Sequence, residues 1–101
     1  MTANDFATLG DRTARSPLGR HLDWQCESIT LDRARFRMPF AAHHVTVGDM
    51  VHGGAIAALA DAAATAACWA TEAVTPASRG ATAALTMNYL QAALGVDLIA
   101  E

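Results

Sequence analysis

The segment Val51-His52-Gly53-Gly54 stands directly before a run of alanines, and Asp61 stands inside that run. The first N–H groups of a helix lack internal partners and carry partial positive charge. Glycines at such a place let a ligand come close to the backbone. Gly53 and Gly54 therefore offer N–H donors suited to an oxyanion or a polarised carbonyl. The same pair equally suits a tight packing contact between two elements. No phosphate-loop pattern and no lysine accompany it, which points away from nucleotides. Asp61 has Ala57, Ala58, Ala64, Thr65 and Cys68 at helical spacing around it. A carboxylate there is poorly solvated and needs donors to stay ionised. Asp61 follows His52 by nine residues, about 13 Å along a helix axis, too far for its side chain to span. If it cooperates with a helix entrance, that entrance belongs to another subunit. A twofold dimer with antiparallel helices makes this pairing twice. The alternative is an aspartate buried for structure, bonded to Thr65 or to backbone donors.

The elements that must hold these residues follow from period and punctuation. Thr2 and Asp5 form a capping pair, and Phe6 and Leu9 share a face, which predicts a helix over Ala3 to Ala14. Ser16-Pro17-Leu18-Gly19 breaks it. From Leu22 the period is two: Leu22, Trp24 and Cys26 alternate with Asp23, Gln25 and Glu27. After a turn near Asp32, Ala34, Phe36 and Met38 alternate with Arg33, Arg35 and Arg37. This predicts a hairpin with an apolar face and a solvated arginine face. Pro39 ends it, and Phe40 to Val51 is a loop. Alanine fills eleven of the nineteen positions from Ala55 to Ala73, which predicts a helix buried nearly all round. Ala81 to Tyr89 again alternates and reads as a strand. Gly95 turns the chain, and Val96 to Glu101 starts another. The sum is α+β, a helix against an antiparallel sheet. Two further strands of roughly 5–8 residues would be needed to cover the helix, so either the chain is a fragment or a partner supplies the cover.

Composition closes other routes. The chain has 101 residues, which is one domain at most. Its 52% apolar content excludes a disordered chain. Net charge is −3, with seven arginines and no lysine, so no basic patch exists to neutralise nucleic acid. Val51 to Val74 contains His52, Asp61 and Glu72. An aspartate at a helix centre costs about 2.5–3.5 kcal/mol on insertion, which argues against a membrane span. No targeting signal opens the chain. Cys26 and Cys68 form no CxxC pattern, which fits a reducing cytoplasm. Both read as small core residues rather than nucleophiles. Ser16 and Ser28 lack a nucleophile-elbow context. His43 and His44, with His52, have no carboxylate or thiolate at ligand spacing and read as loop histidines, so no metal is expected.

The stretch Gly48-Asp49-Met50-Val51-His52-Gly53-Gly54-Ala55-Ile56-Ala57-Ala58-Leu59-Ala60-Asp61 resembles the G-x-x-V-H-G-G-x-x-x-x-L-x-D signature of hotdog-fold thioesterases. The resemblance is to the phenylacetate-degradation (PaaI-type) branch of acyl-CoA thioesterases. Thr86-Met87-Asn88-Tyr89-Leu90 with Gly95, and upstream Ser16-Pro17-Leu18-Gly19 and the hairpin to Met38-Pro39, are similar too. The resemblance implies one hotdog domain over residues 1–101, an antiparallel sheet wrapped around a central helix, without its last strands. It implies hydrolysis of acyl-CoA to free acid and coenzyme A, with no cofactor. It also implies a homodimer or homotetramer with the site at the subunit interface. Asp61 matches the catalytic acid, acting as general base toward water or as nucleophile. Gly53 matches the N–H donor to the thioester carbonyl, and His52 the catalytic-site histidine that shapes the entrance and helps hold the thioester group. Gly54 and Thr82 fall at substrate-binding positions, the Thr82 hydroxyl at one that orients the attacking water. Thr46 stands six residues before His52, where the family often has asparagine, and lacks the amide's paired donor and acceptor. Trp69 is placed to pack or to border an acyl pocket. No residue can be assigned to the coenzyme A phosphates. The rival readings are a non-catalytic acyl-thioester binder or a truncated, inactive relative. An enoyl-thioester hydratase is a further rival, against which the placement of Asp61 argues.

Overall fold

In the computed structural model, which describes residues 1–101, Thr2 starts the first helix. Its hydroxyl accepts from the Asp5 N–H at 3.2 Å, and the Asp5 carboxylate accepts from the Thr2 N–H at 2.7 Å. This capping box opens α1, Ala3–Ala14. Ser16-Pro17 does not merely break α1, as expected from the sequence. Ser16 Oγ accepts from the Gly19 N–H at 3.1 Å and Pro17 occupies the first helical position, so the pair begins a second helix, α2, Pro17–His21. The expected strand from Leu22 is displaced accordingly. Leu22 caps α2, Asp23 turns the chain with φ +63°, and β1 runs Gln25–Thr30.

β1 pairs antiparallel with β2, Arg33–Met38, through a two-residue turn in which Asp32 takes φ +59°. A bulge between Cys26 and Ser28 breaks the alternation expected for β1. It adds Glu27 as an extra residue and returns Ile29 to the core face. In β2 the alternation holds: Ala34, Phe36 and Met38 are buried. On the wet face Arg35 and Arg37 donate to Glu27 at 2.8 and 2.7 Å, and Arg37 also reaches Asp97. These bonds hold the Glu27 carboxyl below its ordinary value, through Arg37 first and then Arg35. The arginines are thus engaged within the chain.

A 3₁₀ turn at Ala42–His44 and a loop lead to α3, Gly53–Trp69. This helix crosses the inner face of the sheet and buries Ala55, Leu59, Ala63 and Ala66. Those four, with Leu22, Trp24, Ala34, Phe36, Met38 and Val51, are the core. Two expectations fail here. The helix ends at Trp69 rather than Ala73, with Ala70 as its fully buried cap. It is also not buried all round: Gly54, Ala64, Thr65 and Cys68 are exposed, because this chain covers one stripe of it. Cys26 does pack inward against Gly10, and burial pushes its thiol up.

β3, Leu98–Ala100, pairs antiparallel with β2 and completes a sheet of order β1-β2-β3. The expected strand over Ala81–Tyr89 joins no sheet. A strand is defined by a hydrogen-bonded neighbour, and between this stretch and β3 lies an apolar groove of about 590 Å³. Ile56, Leu59 and Ala63 floor the groove, with Met87 on one side and Leu98 on the other. No helix is long and apolar enough to cross a membrane.

Phe36 is fully buried at the centre of this core. Phe36→Ala is expected to cost about 3–5 kcal/mol, the range for deleting a buried aromatic. Chemical denaturation of both proteins measures it.

Candidate active site

The entrance of α3 is built by a histidine cap. His52 is the N-cap, and its Nδ1 accepts from the Gly54 N–H at 2.8 Å. Nδ1 is therefore the lone-pair nitrogen, and the neutral ring carries its proton on Nε2. One of the two donors expected from the glycine pair is thus already used. Ala55 and Ile56 donate to the His52 carbonyl, whereas the Gly53 N–H has no partner within the chain. The free donor of the entrance is Gly53 alone.

Several backbone bonds fix this corner. Val51 N–H donates to the Ala93 carbonyl at 2.9 Å, and His52 N–H to the His44 carbonyl at 2.8 Å. Gly95 N–H donates to the Asp49 carbonyl at 2.9 Å. Gly48 and Gly95 take φ of +60° and +61°, a region open to glycine without strain. Tyr89, which the sequence did not single out for chemistry, donates its hydroxyl to the Gly53 carbonyl at 2.8 Å. Thr46 lies with Met50, Gly53, Ile56 and Tyr89 along a groove of about 410 Å³.

Asp61 sits two turns further on and is half-buried, not sealed as expected from its alanine neighbours. The Thr82 hydroxyl donates to its Oδ1 at 2.6 Å. No bond to Thr65 is formed; the partner comes from 21 residues downstream. Asp61 lines a groove of about 480 Å³ with Leu9, Leu18, Trp24, Ala62 and Trp69. Trp69 is thus at the groove beside Asp61. Leu9 and Leu18 were not predicted there; the amphipathic face of α1 was the only signal for Leu9, and Leu18 comes from α2, a helix not expected from the sequence.

The structure therefore gathers the candidate residues into two groups. Thr46, His52, Gly53 and Gly54 stand at the entrance, and Asp61 and Thr82 stand beside the second groove. α3 is unbroken between them, so eight residues separate Gly53 from Asp61 by about 12 Å.

An α+β fold with one helix across an antiparallel sheet, a glycine entrance and a carboxylate two turns later defines a class. A family model described as "Thioesterase superfamily" matches residues 48–101, just over half the chain. The chain belongs to that superfamily and has its hotdog-like fold. It is similar to the solved structure of zebra fish thioesterase superfamily member 2, with 25% identity and a TM-score of 0.77. That likeness covers 98% of this chain and 72% of the other. A conserved protein from Pseudomonas aeruginosa shares the fold at 24% identity and a TM-score of 0.73, over 87% of this chain and 69% of that one. No curated protein matches.

The two glycines are not equivalent, and that can be measured. A Cβ on Gly54 would lie 2.9 Å from His52 Nδ1, so Gly54→Ala must push the cap aside. It is expected to cost about 0.5–2 kcal/mol, the range for losing an N-cap. The same change should add little in a His52→Ala background, which a double-mutant cycle by thermal melting reads. On Gly53 a Cβ meets the Tyr89 ring at 3.6 Å, ordinary contact, so Gly53→Ala should leave stability unharmed.

Proposed function

We propose that this chain is an acyl-CoA thioesterase of the phenylacetate-degradation (PaaI-type) branch, with each site shared between two copies. The observation that carries this reading is the separation of Asp61, held by Thr82, from the free N–H of Gly53 along one rigid helix. The two groups suit one reaction, and only two antiparallel helices bring them together. Asp61 takes a proton from water as its oxygen attacks the thioester carbon. The Gly53 N–H of the other copy stabilises the oxyanion that forms. The C–S bond then breaks, the thiolate leaves with a proton as coenzyme A, and the free acid remains. The Thr82 bond orients Asp61 through Oδ1 and leaves Oδ2 for the water. The groove of Leu9, Leu18, Trp24 and Trp69 beside Asp61 is the acyl pocket in this reading.

Surface area supports the second copy. The chain exposes 6465 Å². A compact protein of its mass, 10.6 kDa, exposes about 5,500 Å². The excess, near 1,000 Å², is comparable to one partner's share of a standard interface, about 800 Å². One domain over residues 1–101, a cytoplasmic setting and a homodimer or homotetramer belong to the same proposal. The rival, a binder without turnover, draws on Thr46 at the Gly53 groove, where one hydroxyl stands in place of an amide.

Asp61→Asn keeps the shape and removes the base. Thiol release from a panel of acyl-CoAs should fall by about 10²-fold or more, while acyl-CoA binding survives. If the wild type binds acyl-CoA and releases no thiol, the binder reading holds.

Sharing of the site has its own test. Asp61→Asn and Gly53→Val chains, each inactive alone, should regain activity when unfolded together and refolded as mixed dimers. One of the two sites in a mixed dimer has both groups intact. No recovery from a mixture shown to form mixed dimers would place the whole site in one chain.

A further inference from the structure

The loop before α3 carries a cluster that the thioesterase reading does not use. His43 and His44 had no carboxylate at ligand spacing in the sequence, but the fold brings Asp23 to them from twenty residues upstream. His44 Nε2 lies 2.9 Å from Asp23 Oδ2, and His43 Nε2 lies 3.1 Å from the same oxygen. His43 Nε2 is also 2.8 Å from the His21 main-chain carbonyl oxygen. The three side-chain donor atoms all lie within 4.8 Å of one another. Four donors, two imidazole nitrogens and two oxygens, thus converge from three elements: the end of α2, the α2–β1 turn and the 3₁₀ turn.

We propose that Asp23, His43 and His44, with the His21 carbonyl, form a binding site for a divalent transition-metal ion of the zinc class. The donor set selects the ion: imidazole suits zinc, cobalt, nickel or copper, whereas magnesium and calcium take oxygen. Spacing is close to what such an ion needs. Bonds of 2.0–2.2 Å in a tetrahedron put ligand atoms roughly 3.4 Å apart. Asp23 Oδ2, 2.9 and 3.1 Å from the two Nε2 atoms, lies within a few tenths of an ångström of that spacing from each. The framework is part rigid and part open. The His44 side chain is fully buried, while His43 and Asp23 are half exposed and give an ion access from solvent. Asp23 also holds φ +63°, a backbone state uncommon for a residue with a Cβ.

In the ion-free chain each imidazole bears its proton on Nε2 and donates it to Asp23 or to the His21 carbonyl. On binding, the ion takes the Nε2 lone pairs and the ring protons move to Nδ1. For His43 that nitrogen sits on a half-exposed ring. For His44 it is buried with no acceptor. Metal-bound histidines ordinarily donate their other N–H, so this site binds more weakly than a structural zinc centre. The consequence of binding reaches the proposed active site, because the His44 carbonyl accepts the N–H of His52, the cap of α3. An ion here ties the α2–β1 turn to that cap and raises thermal stability.

The test uses the full chain, stripped of metal with a chelator and dialysed. Calorimetric titration with zinc should find one ion per chain and a raised melting temperature. Cobalt(II) should give the visible bands of a tetrahedral nitrogen–oxygen site without a thiolate charge-transfer band. Asp23→Asn, in which the amide oxygen still accepts from His44, and His43→Ala, on a half-exposed ring, should each weaken zinc binding by about tenfold or more. Cys68→Ser should leave it unchanged. No zinc binding by the wild type, or binding that survives both substitutions or depends on Cys68, overturns the proposal and leaves a hydrogen-bonded cluster only.

Discussion

The rise of an α-helix, 1.5 Å per residue, is the constraint on which the rest depends. α3 runs seventeen residues without a break, with its free N–H at one end and its only carboxylate near the middle. The helix is stiff, so the separation between them is fixed by counting and not by side-chain choice. In the proposed pairing, a second helix laid alongside in the opposite sense offers its free N–H to the first helix's carboxylate. Symmetry then supplies the converse pair at no further structural cost.

Alanine is what makes such an arrangement workable. A helix of larger residues would hold neighbouring backbones apart, whereas alanine lets elements approach closely and has the highest helix propensity. The cost is a thin core. Ala55, Ala63 and Ala66 bury little area each, and the largest fully buried apolar side chains are Phe36, Met38 and Leu59. The remaining faces of α3 stay half-exposed within one chain, and large apolar residues such as Leu85, Tyr89 and Leu90 lie open beside them. The packing that one chain does not complete lies on the same helix as the two groups proposed to react across copies.

Legibility in the sequence followed interaction range. The capping box of α1, the buried face of β2 and the start of α3 depend on residues a few positions apart, and all were readable. The α2 helix was missed because Ser16-Pro17 serves equally to end one helix and to begin another. The bulge at Glu27 was missed because an inserted residue leaves no mark on a six-residue alternation. The strand expected over Ala81–Tyr89 had the right period, but pairing is a property of neighbours, which a local pattern does not specify. At the candidate site, the placing of the glycine pair at the start of α3 and of Asp61 within it was legible from type and spacing. The Thr82 contact with Asp61 was not readable from spacing, and Thr82 was singled out only through family resemblance. Two further contacts escaped. Tyr89 on Gly53 and Asp23 beside His43 and His44 each join positions twenty or more residues apart.

The unpaired stretch from Thr82 to Tyr89 holds both groups of the proposed site. It runs against the direction of α3 and is bonded to it at both ends, Thr82 to Asp61 and Tyr89 to Gly53. Each bond leaves free the atom proposed to react. Tyr89 donates to the Gly53 carbonyl, not to its N–H, so the donor of the entrance stays open. Thr82 donates to one oxygen of Asp61, which fixes the plane of the carboxylate and leaves the second oxygen unused. A group that must both be oriented and remain able to react is best held through the atom that does not react. Both groups proposed for catalysis in this chain are held in that way, and by the same segment. Moving that segment would therefore disturb the proposed acid and the proposed oxyanion donor together, although it contributes neither.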